Sequence, residues 1–299
     1  MSSTCLIIQT FVKNDTFLAL WQSLLKCDDI HDVHLIIWHD SHINSRKEAE
    51  YEKKAELVRK SVEGAIASDG HLFASAQLIS NPTNLGTCPT CRTAIDYAAA
   101  RFDHVIFTED DTLFARDAIR WFRAAFALEA FNDPDVWAIA GESVFFDAQE
   151  KNLPDGYVEL ARNYAVEKRL GRAFIKLNFV PSTCFATNAT KWKEFGATRG
   201  QREGANDVCK RCAAENKFCL FPIVPRVTDT GMLHPDGYSV LLHSRERVQE
   251  IKSTYLTSDD LPSDEIKGVL VPFTGSDGEI WRRTALLEGF GVLPPWRPE

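Results

Sequence analysis

Glu109, Asp110 and Asp111 are three consecutive carboxylates that close an apolar run, His104-Val105-Ile106-Phe107-Thr108. Adjacent acids repel one another unless a cation neutralises them, and hard divalent ions such as Mg²⁺ and Mn²⁺ take oxygen ligands. The triplet equally suits a solvated strand-to-helix turn, where acids favour a helix N-terminus. Two Cys-x-x-Cys pairs, Cys88/Cys91 and Cys209/Cys212, have the ligand spacing of half a zinc site each. They lie far apart in the chain, so only the fold can bring them together. Cys88-Pro-Thr-Cys91 also has the form of a redox pair, but the rest of a thioredoxin-like unit is missing.

The elements that must position these residues follow a regular order. Thr4 to Val12 reads as a buried strand, and Asn14-Asp15 offers a cap to a helix in which Phe17, Leu20, Trp21, Leu24 and Leu25 recur at helical spacing. His34 to Trp38 is a second strand that ends in His39-Asp40-Ser41, followed by an exposed amphipathic helix from Arg46 to Ala67. A third strand around Leu72 to Ile79 leads into the turn-rich Asn81-Pro82-Thr83-Asn84-Leu85-Gly86. Alanine-rich Arg92 to Ala100 then delivers the chain to the acidic strand. Strands alternating with helices imply a mostly parallel sheet covered on both faces, with ligands beyond the carboxyl ends of its strands. After the acids come a helix over Ala118 to Phe131 and a strand over Val136 to Ala140. The second half is less regular: strands at Phe174 to Phe179 and Phe218 to Val224, and helices near Lys191 to Phe195 and Asp207 to Asn216.

The totals bound the partners. At 299 residues, with 44% hydrophobic and 25% charged side chains, the chain has the profile of a globular protein that buries a substantial core. A net charge of -8 argues against nucleic acid or an anionic membrane as the main partner. No stretch has the length of a transmembrane segment, and Met1 to Val12 lacks the basic start of a signal peptide, so a soluble, cytoplasmic protein with reduced thiols is expected.

Several short motifs occur in a familiar order: Asn84-Leu85-Gly86, Arg92, Glu109-Asp110-Asp111, Asp133-Pro134-Asp135-Val136-Trp137, and Asn206-Asp207 ahead of Pro225-Arg226-Val227-Thr228. This set resembles the nucleotide-sugar glycosyltransferases of the GT-A fold, in layout the family 2 enzymes and in its words the N-acetylglucosaminyltransferase I group. The resemblance covers roughly residues 4 to 245 and is one of ordered motifs. It implies an α/β, Rossmann-like GT-A domain over residues 1–250. Within it, 1–140 would bind the nucleotide sugar, 141–250 would be a less regular acceptor and catalytic half, and 251–299 would form a wrapping extension.

By that resemblance Asp111 holds a Mn²⁺ or Mg²⁺ ion that offsets the charge growing on a departing diphosphate. Glu109 and Asp110 face the nucleoside, and Asp40 meets its base. Arg92 serves a phosphate or the acids, since its guanidinium fork suits either. Asp207 takes the proton from an acceptor hydroxyl with inversion at the sugar. His234, with His243 second, sits in a loop that closes over the diphosphate and adds a metal ligand. Each has a plainer reading as a turn acid, helix residue or loop histidine. The implied partners are a nucleotide-sugar donor, with a UDP-sugar favoured, and a hydroxyl acceptor. The acidic motif is Glu-Asp-Asp where many relatives carry Asp-x-Asp, which leaves the metal resting on Asp111. The cysteine pairs are not part of the pattern; zinc there would tie the Arg92 helix to the Asp207 helix.

Two alternatives stay open. A nucleotidyltransferase would share the sheet, but it should carry a Gly-rich basic loop after the first strand, and Gln9-Thr10-Phe11-Val12-Lys13-Asn14 has no glycine. A non-catalytic scaffold of the same fold, stabilised by zinc on Cys88, Cys91, Cys209 and Cys212, is the other.

Overall fold

Every residue of β1 (Thr4–Thr10) is buried, and its side chains alternate between two separate cores. Cys5 and Ile7 face one side with Ile36, Trp38, Val105 and Phe107, where α3 (Thr87–Ala99) contributes Ala94, Ile95 and Ala98. Leu6 and Ile8 face the other side with Leu35, Ile37 and Ile106. That side is covered by α1 (Asn14–Leu24) through Phe17, Leu20, Trp21 and Leu24 and by α2 (Glu48–Asp69) through Val58 and Val62. The α4 helix (Ala118–Phe126) adds Ile119 and Phe122 to the same side. A strand apolar on both faces is the mark of a sheet sandwiched between helix layers, so the expected α/β class is what the residues build.

The computed structural model describes residues 2–143, 173–177, 183–196, 205–231, 234–236, 259 and 271–272. The remaining strands are β2 (Val33–His39), β3 (Ser75–Ser80), β4 (His104–Glu109), β5 (Thr112–Phe114), β6 (Val136–Ala140), β7 (Ala173–Leu177), β8 (Cys184–Asn188), β9 (Phe218–Pro222), β10 (Val227–Asp229) and β11 (Val271–Pro272). Among the described residues, nine of them form one sheet in the order β11-β7-β9-β6-β8-β4-β1-β2-β3. The block β4-β1-β2-β3 is parallel throughout. Two short helices, α5 (Glu129–Asn132) and α6 (Ala189–Lys191), and the longer α7 (Ala205–Ala214) complete the described elements used here.

The differences from the sequence expectation have local causes. The helix expected over 118–131 breaks after Phe126, and the chain restarts in α5 behind Leu128, whose backbone is extended. The acidic strand ends at Glu109, as the apolar run implies, but Thr112–Phe114, given no element in the sequence reading, forms β5 and pairs antiparallel with β10. β8 had no counterpart in the sequence reading. It lies antiparallel between β4 and β6, and its run Cys-Phe-Ala-Thr-Asn is too short and mixed to stand out. α3 begins at Thr87, so Cys88 and Cys91 fall in its first turns. Gly86 precedes it at φ +80, a left-handed backbone that glycine adopts without a Cβ clash.

Register places the strand ends together. Thr10 pairs with His39 and Gln9 with Glu109, so the carboxyl ends of β1, β2 and β4 open onto one edge. That edge of a parallel sheet is where ligands bind in open α/β folds. Among the described residues no helix is long and apolar enough to cross a membrane.

Two groups near this edge give stability predictions. His39 is 4% exposed, and burial holds its imidazole down to about 4 from the usual 6.5. The unfolded chain therefore binds a proton between those values that the folded chain refuses, and stability falls as pH drops from 6.5 to 4, by about 3 kcal/mol from this residue. Urea unfolding across that range should show a shallower loss in His39→Gln than in the natural chain. Deeper in, the Arg226 guanidinium meets Asp117 at 3.0 Å and ties the start of β10 to α4. Asp117→Ala leaves a buried cation uncompensated and should cost about 3 kcal/mol in the same measurement.

Candidate functional site

Asp110 and Asp111 form the turn between β4 and β5, and both are buried, 3% and 4% exposed. Their partners come from the end of β1. The Phe11 backbone N–H donates to Asp110 Oδ2 at 3.1 Å. The ammonium of Lys13, which immediately precedes α1, lies 3.3 Å from Asp110 Oδ1 and forms a short ion pair with Asp111 Oδ2. Asp111 Oδ1 is buried with no hydrogen-bond partner among the described residues. A carboxylate oxygen in that condition is costly unless something else neutralises it.

The far wall of the site comes from residues more than a hundred positions later in the chain. β5 pairs with β10, and the chain leaving β10 folds back on the turn: Thr230 donates from its N–H at 2.7 Å and from its hydroxyl at 2.6 Å to the Asp111 carbonyl. The Gly231 backbone then runs so close to the carboxylate that a Cβ there would lie 1.9 Å from Asp111 Oδ2. Only a residue without a side chain fits.

Charge sets the protonation balance. Burial first, then the neighbouring Asp111 and Asp229, pushes Glu109 well above the usual carboxylate range, and Lys13 opposes this. Burial raises Asp110 to about 6 against the pull of Lys13 and the Phe11 N–H. For Lys13, burial works to lower the ammonium, but Asp110 and Asp111 outweigh it and hold the proton more firmly than in an ordinary lysine.

Asp40 is 3% exposed, and both of its oxygens are engaged. Oδ1 accepts from the Asn81 side chain at 2.8 Å and from the N–H groups of Ser41 at 3.0 Å and Leu85 at 3.1 Å. Oδ2 accepts from the Asn84 side chain and the Gly86 N–H, each at 3.0 Å. The strand-end acid thus organises the whole 81–86 loop and the entry to α3. Arg92 lies along α3, with Nε 3.7 Å from Asp96 Oδ2.

His234 and Asp236 fasten the segment after Gly231 to the helices beneath. His234 Nε2 meets Asp15 at 2.9 Å, while Nδ1 accepts the Asp236 N–H at 3.1 Å, which places the ring proton on Nε2. Asp236 takes two hydrogen bonds from Lys54 on α2, at 2.9 and 2.7 Å. Asp207 sits in the first turn of α7 with its side chain 53% exposed, 3.8 Å from Lys210. His243 lies outside the described residues.

The structure therefore joins Asp110, Asp111 and the Glu109 charge into one cluster at the same sheet edge as Asp40, and leaves Asp207 on a helix of its own. Sequence reading missed Lys13 and Gly231. Lys13 entered only as part of the glycine-free stretch after the first strand; its one signal was its place just past a strand end, the position that also singled out Asp40. Gly231 belongs to the loop read around His234, but its approach to Asp111 follows from the β5/β10 pairing, which is a tertiary fact.

The expected zinc centre finds no support. Among the described residues no group of three or more His, Cys, Asp or Glu side chains is arranged to hold a metal ion. Cys212 is wholly buried in the core, whereas Cys88 is exposed at the start of α3. For a hard divalent ion at the acids the residues do fit. Mg²⁺-type sites use one or two carboxylates and take their remaining oxygens from a substrate phosphate and water, so a three-group cage is not required. The buried, unpartnered Asp111 Oδ1 is the oxygen that would serve.

No protein-family model and no curated protein matches the sequence. Among solved structures the chain is similar to the mannosyltransferase PcManGT from Pyrobaculum calidifontis in complex with GDP-Man and Mn²⁺. The identity is 15% and the TM-score 0.47, over 75% of this chain and 58% of that one. It is also similar to S. aureus TarS 1-349, at 12% identity and TM-score 0.44, over 77% and 61%. The complex of TarS 1-349 with UDP-GlcNAc gives 14% and 0.41, over 73% and 55%. This chain thus spans about three fifths of the length of those structures. At TM-scores below 0.5 these are likenesses in the path of the chain, with no bearing on donor, metal or acceptor.

Gly231→Ala tests how closely the two walls must meet. The added methyl displaces Asp111, and binding of Mn²⁺ or of any phosphate-bearing ligand should weaken at least about tenfold while the circular dichroism spectrum is unchanged.

Proposed function

We propose that this protein transfers a sugar from a nucleotide-sugar donor to an acceptor hydroxyl, with a divalent cation at Asp111. The observation that carries the reading is the buried, unpartnered Asp111 oxygen at the carboxyl edge of the parallel strands, beside a loop organised by Asp40. The ion, Mn²⁺ or Mg²⁺, supplies positive charge for the diphosphate that departs with the nucleotide.

The chain's own residues supply the rest. Asp111 holds the ion, and Asp110, fixed by the Phe11 N–H, adds negative charge beside it. Glu109, whose carboxyl is pushed upward by burial and its acidic neighbours, faces the ribose of the donor in this reading. Asp40 positions the 81–86 loop as the wall of the base pocket, a change from the direct contact with the base that the motif pattern implies. Arg92 sits on the helix which that loop opens, and we assign it to orienting this wall through Asp96. Gly231 and Thr230 bring a second wall against the acids, and His234 latches that wall to α1. His234 can join the ion only in a conformation in which it has left Asp15.

Asp207 is assigned as the base for the acceptor hydroxyl. Its exposure leaves it accessible to an acceptor, and attack from the face opposite the diphosphate inverts the anomeric carbon. A UDP-sugar is the preferred donor in this reading, and the protein works without nucleic acid. The absence of glycine between Gln9 and Asn14 speaks against a nucleotidyltransferase, whose phosphates need close backbone approach there.

A thermal-shift panel of UDP, GDP and CDP ligands, each with and without Mn²⁺, should show one nucleotide that stabilises the protein only with the metal. Asp111→Asn should abolish that metal-dependent shift and lower donor hydrolysis at least about a hundredfold. Metal-independent binding of all nucleotides alike, or full hydrolysis in Asp111→Asn, would refute the assignment.

A further inference from the structure

Of the four carboxylate oxygens of Asp110 and Asp111, three have partners in the described structure. Asp110 Oδ2 takes the Phe11 N–H, and Asp110 Oδ1 and Asp111 Oδ2 share the single ammonium of Lys13. The fourth, Asp111 Oδ1, is buried without one. Lys13 therefore spans the two acids and brings one positive charge where a divalent ion would bring two. Its side chain is only 15% exposed, so this is not a surface lysine resting on a convenient acid.

We infer that Lys13 is a built-in counter-ion that competes with the divalent cation for the Asp110–Asp111 pair, and that metal binding releases its ammonium into the donor site. The inference rests on the metal role assigned above and extends it to a residue outside the acidic motif. Two cations cannot both sit against Asp111 without strong mutual repulsion in so dry a place. The Gly231 backbone crowds Asp111 Oδ2, which leaves little room for a second cation beside the ammonium. Lys13 is well placed to move. It precedes α1 with non-helical backbone, φ -96 and ψ 87, and four flexible carbons separate that backbone from its charge. An ammonium freed at the end of β1 stays within reach of an anionic ligand bound at the same edge. The apo protein thus keeps its buried acids partly neutralised, and the metal-loaded protein gains a mobile cation for the diphosphate.

The test needs neither sugar nor turnover. Mn²⁺ binding, followed by the electron paramagnetic resonance signal of the free ion, is compared in the natural chain and in Lys13→Met. The substitution should tighten Mn²⁺ binding about tenfold or more, lower the melting temperature without metal, and enlarge the stabilisation by saturating Mn²⁺. Equal or weaker Mn²⁺ binding in Lys13→Met overturns the inference. Should that variant not fold, ¹⁵N-lysine NMR of the natural chain decides. One protected ammonium resonance should move to the exchange-broadened solvent position on adding Mg²⁺, and a resonance unchanged at saturating Mg²⁺ overturns the inference. Nucleotide binding is measured in the same samples: a natural chain that binds no nucleotide, beside a Lys13→Met that binds Mn²⁺ more tightly, sinks the transferase reading and leaves the exchange standing.

Discussion

The interaction on which the rest of this structure depends is the ion pair between the turn after β4 and the residue after β1. Two buried carboxylates side by side in the turn after β4 repel each other, and without Lys13 the cluster would carry its charge unopposed in a low-dielectric edge. The ammonium lets β1 and β4 lie in register up to Gln9 and Glu109. It also leaves the cluster incompletely satisfied, with one acid oxygen unpartnered among the described residues. That residual demand separates a ligand site from a finished structural salt bridge.

Around that pair the fold divides its labour. Asp40 acts at the end of β2 through neutral donors alone, drawing the 81–86 loop into place with four hydrogen bonds. The acids at the end of β4 are held by charge. The end of β2 is thus a rigid, satisfied wall, and the end of β4, across β1, is an electrostatically open one. The contrast follows from burial and partners, since all three residues are aspartates.

Much of this was legible in the residues. Buried runs such as Thr4 to Thr10 and Val136 to Ala140 declare strands because they are apolar on both faces, and the helices beside them show their core stripes plainly. The acidic turn and Asp40 stood out because position at a strand end carries meaning in a parallel sheet. What did not show were the features made by distant segments: β8 wedged antiparallel into the centre, the β5/β10 ribbon, and Gly231 against Asp111. The zinc expectation rested on sequence spacing alone, and among the described residues no metal-holding group of side chains supports it.

The β5/β10 ribbon has a bearing on how the molecule matures. It ties Thr112–Phe114 to Val227–Asp229, a closure across a long stretch of chain, and contacts of such separation form late and slowly. During synthesis the acids leave the ribosome long before the glycine that walls them. Through that interval the nascent chain carries its two aspartates and their lysine with one side unfinished, so competence to hold a ligand would be the last property this protein acquires.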